Sequence, residues 1–148
     1  MKLSTKGRYG VRLMIDLAQR YGEGPVLLRE IAKREEISEK YLSNLVNPLK
    51  SLGLVEATRG VHGGYVLGRS PADITMQEIV EALEGPLCVV DCVEKPGTCS
   101  RVPLCGARDL WSEVAQGITQ VLSRCTLAEM VERQKAKRES VTHDNYSI

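Results

Sequence analysis

At 148 residues, with 43% hydrophobic and 26% charged side chains, the chain has room for one core and the composition of an ordinary soluble domain. The net charge is only +1, yet 12 Lys/Arg stand against 7 Asp/Glu in residues 1–70 and 8 against 12 in residues 71–148, so a basic front half precedes an acidic rear half. The opening MKLSTKGRYG has no apolar signal-peptide core and no apolar run reaches membrane-spanning length, which predicts a cytoplasmic protein without a membrane partner.

A first helix is expected from a cap at Ser4 or Thr5 to about Tyr21, where Gly22, Gly24 and Pro25 end it. Tyr9, Leu13, Leu17 and Tyr21, widened by Met14 and Ala18, form its core stripe. Lys6, Arg8 and Arg12 near its start suit either a phosphate site or a solvated basic face. A short helix over residues 28–35 turns Leu28, Ile31 and Ala32 inward, and Ser38 caps the next helix, over residues 39–52. There Leu42, Leu45, Val46 and Leu49 share one face, while Lys40, Ser43, Asn44 and Asn47 gather opposite. Such a polar face suits either base edges in a major groove or plain solvent. Pro48 predicts a kink, and Gly53 a left-handed end.

Two strands, over residues 55–59 and 65–67, flank a loop with Gly60, Gly63 and Gly64 and make a hairpin wing after a helix-turn-helix. Arg59 at the strand end is placed for a minor groove or a phosphate, and His62 reads as a loop-tip histidine without ligand partners. Thr75 and Glu78 form a capping box for a helix with Ile79, Val80 and Leu83, ended by Gly85 and Pro86.

The following stretch, CVVDCVEKPGTCSRVPLC, holds Cys88, Cys92, Cys99 and Cys105, four of the five cysteines. Pro96, Gly97 and Pro103 make it an irregular loop. An odd cysteine count in a reducing compartment argues against a structural disulfide framework. Spacings this wide favour an iron-sulfur cluster, with a redox thiol pair and zinc as alternatives. A helix over residues 106–124 then carries Leu110, Val114, Ile118, Val121 and Leu122, with Trp111 and Ala115 beside them, a face that suits a partner across a dimer axis, internal packing against the first helix, or both. Cys125 belongs to that apolar pattern. Thr126 and Glu129 cap a short last helix, and residues 135–148 read as a polar, disordered tail. Enzyme chemistry is not expected: the two histidines, His62 and His143, are far apart in sequence, and there is no P-loop or nucleophile elbow.

In order, MKLSTKGRYG, ISEKYLSNLVNPLKSLGLV, RGVHGGYVLGR, the trio Cys92, Cys99 and Cys105, and the following LW resemble the IscR-type winged-helix regulators, a family that includes NsrR, RirA and CymR, over about residues 1–134. The resemblance implies a mainly α fold with a small β wing: a winged helix-turn-helix over 1–85, a cluster-binding loop over 86–106, and a long dimerisation helix with a short C-terminal helix over 107–134. It implies a homodimer on double-stranded DNA, reading a palindromic operator with Ser38, Lys40, Tyr41, Ser43, Asn44 and Arg59. It also implies an iron-sulfur cluster on Cys92, Cys99 and Cys105, 2Fe-2S in preference to 4Fe-4S, through which iron-sulfur supply, oxidants or nitric oxide are sensed, although some branches of the family hold no cluster. Iron-sulfur biogenesis genes are the expected targets. Ser43 stands where IscR has a discriminating glutamate. Arg108 stands where IscR has a histidine ligand, and Arg8 where NsrR-type proteins have an acidic one; neither cation can ligate iron. Asp109, nearest to the expected position, is the leading candidate for the fourth ligand, beside Asp91, Cys88, a partner-chain residue and an exogenous thiol.

Overall fold

Ser4 starts α1 (Thr5–Gln19), its hydroxyl accepting from the Gly7 N–H at 3.4 Å. The structure, a computed structural model, describes residues 2–146. Leu13, Met14 and Leu17 of α1 are buried as expected, but the helix stops two residues early and Tyr21 is 52% exposed, because the left-handed Gly22 and Gly24 turn the chain outward first. Gly7 and Gly10 are buried where α1 crosses α4 (Met76–Glu84); an added methyl at Gly10 would collide with Leu83.

Next come α2 (Leu28–Glu35) and α3 (Glu39–Ser51), joined by Glu36 in the left-handed conformation (φ 55°), with Ile37 buried in the turn. The Ser38 hydroxyl accepts from the Tyr41 N–H at 3.2 Å. Leu42, Leu45, Val46 and Leu49 enter the core. Pro48 lies inside α3, and the helix runs on past it to Ser51.

The wing is an antiparallel pair, β1 (Val55–Thr58) and β2 (Gly64–Leu67), with Val55 opposite Leu67 and Thr58 opposite Gly64. Tyr65 exchanges both backbone hydrogen bonds with Val26, at 2.9 and 2.8 Å, so the segment before α2 extends the sheet. Arg69, just past β2, donates to Glu78 Oε1 at 2.6 Å and fastens the wing to α4. Thr75 and Glu78 form the expected capping box. Partial burial acts against the Glu78 carboxylate, but the Thr75 N–H and Arg69 outweigh it and hold its pKa below the usual carboxylate range. A depressed folded pKa contributes stability above the unfolded value, lost as pH falls through the folded one. Glu78→Gln should therefore narrow the melting-temperature gap to the parent between about pH 5 and 3. An unchanged gap would dismiss this capping contribution.

Beyond the cysteine segment, α6 (Gly106–Arg124) packs on α4, and α7 (Leu127–Tyr146) returns to α1. Its start is stitched to the start of α4: the Met76 N–H donates to the Cys125 carbonyl at 2.9 Å and the Leu127 N–H to that of Ile74 at 2.8 Å. Leu127 and Val131 thus join the winged-helix core. The expectation of a loose tail from residue 135 is corrected as far as Tyr146, since α7 continues through it. Residues 134–139, QKAKRE, are strong helix formers, and the Lys135–Glu132 pair at 3.2 Å adds to them, which carries α7 past residue 135 without an apolar stripe. Residues 147 and 148 of that tail lie outside the described residues.

Candidate DNA-reading face and cysteine segment

The outer face of α3 carries Lys40, Ser43, Asn44 and Asn47, all exposed, because the opposite side is committed to the core. Ser38 is exposed but engaged as the helix cap. Tyr41 is half-buried, its ring edge-on to Tyr9 with centroids 5.9 Å apart. Arg8 and Arg12 flank the same Tyr9 ring at 5.6 and 5.4 Å. An open hollow lined by Lys40, Ser43, Gly64 and Tyr65 separates α3 from the wing. Arg59 follows β1 directly and is exposed, and Val61 at the wing tip is 98% exposed. Among the described residues neither Lys40 nor Arg59 pairs with a carboxylate, which leaves both cations available to a polyanion.

The α1 N-terminus, which the sequence suits to either a phosphate site or a solvated basic face, is occupied from within. Glu84 Oε1 accepts from the Ser4 N–H at 3.0 Å, the Gly7 N–H at 3.1 Å and the Ser4 hydroxyl. The carboxylate thus satisfies the Gly7 N–H and places a negative charge at the positive end of the helix dipole. Nothing in the sequence ties residue 84 to residue 4. Arg12 is likewise engaged, by Glu35 at 3.0 Å.

Between α4 and α6 the cysteine segment is more regular than a loop: it holds the one-turn helix α5 (Asp91–Glu94) and two 3-10 turns, Pro96–Thr98 and Val102–Leu104. Cys92 lies in α5, Cys105 caps α6, and both are half-buried; Cys99 is exposed between the two turns. Arg108, in the first turn of α6, donates from Nε to the Cys92 carbonyl at 3.0 Å. Cys88 is turned elsewhere. It shares a groove with Ile118 and Leu122, which stand about 20 and 25 Å along α6 from Cys105 at 1.5 Å per residue, and its thiol donates to the Val90 carbonyl at 2.8 Å. Cys125 sits at the α6–α7 junction, where burial pushes its thiol pKa up, as expected of a packing residue.

By donor type, Cys92, Cys99 and Cys105 suit an iron-sulfur cluster, offering three thiols in an accessible segment. They are not assembled: among the described residues no three His, Cys, Asp or Glu side chains stand close enough to share a metal ion. Asp109 is exposed in the first turn of α6, and Asp91 is exposed at the start of α5. All five cysteines are free thiols.

Residues 3–133 match the family model described as Rrf2, iron-dependent transcriptional regulator. The chain belongs to the Rrf2 family. The HTH-type transcriptional regulator CymR of Bacillus subtilis is 41% identical over 140 residues, 95% of this chain and 96% of its own. Its solved structure, titled as that of the global cysteine regulator, superposes with a TM-score of 0.76 over 90% of this chain and 98% of that one. The HTH-type transcriptional regulator IscR of Xenorhabdus nematophila is 38% identical over 135 residues, 91% of this chain and 82% of its own. A solved T. potens IscR is 41% identical, with a TM-score of 0.74 over 90% of this chain and 88% of that one. As an Rrf2 protein the chain is a transcriptional regulator and not an enzyme. The winged-helix architecture read from the sequence is the fold of these relatives. No helix among the described residues is long and apolar enough to cross a membrane.

Proposed function

We propose that this Rrf2 protein is a cytoplasmic, homodimeric regulator that reads a palindromic operator through α3 and the wing and senses iron-sulfur status through a cluster on Cys92, Cys99 and Cys105. The observation that carries the sensing part is the placing of those three thiols in one accessible segment linking α4 of the reading head to α6. Dimerisation is supported by α6, on which only Ala115 is buried while Leu110, Trp111 and Val121 are 52%, 38% and 69% exposed. DNA reading rests on Lys40, Ser43 and Asn44 beside Arg59, with Ser38 and Tyr41 setting the start of α3. A bound cluster, 2Fe-2S by preference, would supply a link sensitive to oxidants and to iron supply, whose loss frees the segment. Asp109 remains our candidate for a fourth ligand. Control of iron-sulfur biogenesis genes belongs to this reading.

A metal-free thiol switch is the second reading, favoured by the unassembled thiols and by the likeness to CymR. Anaerobic purification, with iron and acid-labile sulfide measured per chain beside the visible spectrum, separates the two. Matched iron and sulfide that disappear in Cys92→Ala, with the chain still folded, are expected. A parent that stays colourless and iron-free after reconstitution would hand the segment to thiol chemistry.

A further inference from the structure

The one-turn helix α5 is too short to persist on its own, because a single turn fixes several residues for very few hydrogen bonds. Within it only the Asp91 carbonyl has a helical partner, the Lys95 N–H at 2.8 Å. The carbonyls that follow face the deficit of any helix end. That of Cys92 is satisfied from outside, by Arg108 Nε at 3.0 Å across sixteen residues. The same Arg108 donates its backbone N–H to the Cys105 carbonyl at 3.2 Å, closing the first turn of α6. The side chain of Arg108 therefore ties Cys92 to the start of α6, where Cys105 stands, while its backbone bond to Cys105 is one that any non-proline residue here would make. α5 also packs on α6, and these two cysteines are half-buried while Cys99 stays exposed. A guanidinium carries a positive charge, so its hydrogen bond to a carbonyl is charge-assisted.

We propose that Arg108 is a positioning residue that folds Cys92 and Cys105 into one unit in the metal-free chain, leaving Cys99 as the thiol outside the clamp. This deepens the reading of the segment as the sensing element and rests on it for its biological use. The clamp itself needs neither cluster nor oxidant. It also accounts for a cation at this position: Arg108 serves the segment by its hydrogen bond, not as a ligand.

The test uses the full-length, reduced, metal-free protein, with iodoacetamide as the probe and mass spectrometry to follow each cysteine. In Arg108→Ala, alkylation of Cys92 should accelerate by about tenfold or more, the factor one charge-assisted hydrogen bond supports, and that of Cys105, which keeps its backbone bond to residue 108, should rise by less. Cys99 and Cys125 should react at parental rates, and amide exchange in α1 and α3 should not change. Arg108→Lys, which keeps the charge without the planar fork, should fall between parent and alanine variant. Unchanged rates at Cys92 and Cys105 would overturn the proposal. So would equal acceleration at all five cysteines, which marks general loosening. Failure of the sensing reading shows separately, as a parent that neither takes up iron nor responds to peroxide while the alkylation pattern still depends on Arg108.

Discussion

Asp16→Ala is expected to cost about 3 kcal/mol of folding stability, the lower end of the range for breaking a buried ion pair. Asp16 is 1% exposed, the one charged residue in the core among the described residues. Its two carboxylate oxygens accept from Arg34 Nε at 2.9 Å and Nη2 at 2.8 Å, and Arg20 lies 3.2 Å away. This hydrogen bonding outweighs partial burial and raises the Arg34 pKa above its ordinary value. The bidentate geometry links α1 to α2, the first helix of the helix-turn-helix, so the pair holds the reading head together. Arg34 and Arg20 are partly exposed and can rehydrate when Asp16 is lost, which keeps the cost from the upper end. Urea unfolding measures it. Asp16→Ala combined with Arg34→Met should recover part of the loss, because the bidentate cation is then removed with its partner and only the partly exposed Arg20 is left to water. A single variant within about 0.5 kcal/mol of the parent would mean that the pair is not a stabilising element.

Arg59→Ala should weaken binding to an operator selected from random duplex by about 1 to 3 kcal/mol, if Arg59 reads the groove beside the wing. Arg59 follows directly on β1, and β2 is fastened by Val26 on one side and by the Arg69–Glu78 pair behind it. The cation therefore sits on an anchored support. Lys40→Ala tests a different contact: as a phosphate partner it should lower affinity alike on all sequences and reduce the salt slope by about one. Fluorescence anisotropy against salt concentration reads both. If the Arg59 variant bound as the parent does, the wing would have no part in recognition.

Much of the fold was legible because it depends on short-range rules. The Ser4, Ser38, Thr75 and Thr126 caps, the apolar side of α3 and the glycine-rich wing are signals contained within a few residues, and each produced its element. Boundaries slipped where two local rules competed, as at Tyr21, whose position on the core stripe yielded to the glycines that follow it. The tail was misread for a related reason: lack of an apolar face says that a helix will not pack, not that it will not form.

The candidate site divides the same way. Residue types and spacing by themselves determined a helix-turn-helix with a polar outer face, a wing with an arginine at its strand end and a thiol-rich segment. Only the tertiary structure decided that Glu84 fills the α1 N-terminus from eighty residues away, that Asp16 is buried between Arg34 and Arg20, and that Leu127 returns to the winged-helix core. It also set Cys88 against the far half of α6 and Arg108 on the Cys92 carbonyl. The reason is physical: periodicity and capping are written in neighbouring residues, whereas a buried charge or a helix end accepts whichever partner the packing of distant elements delivers.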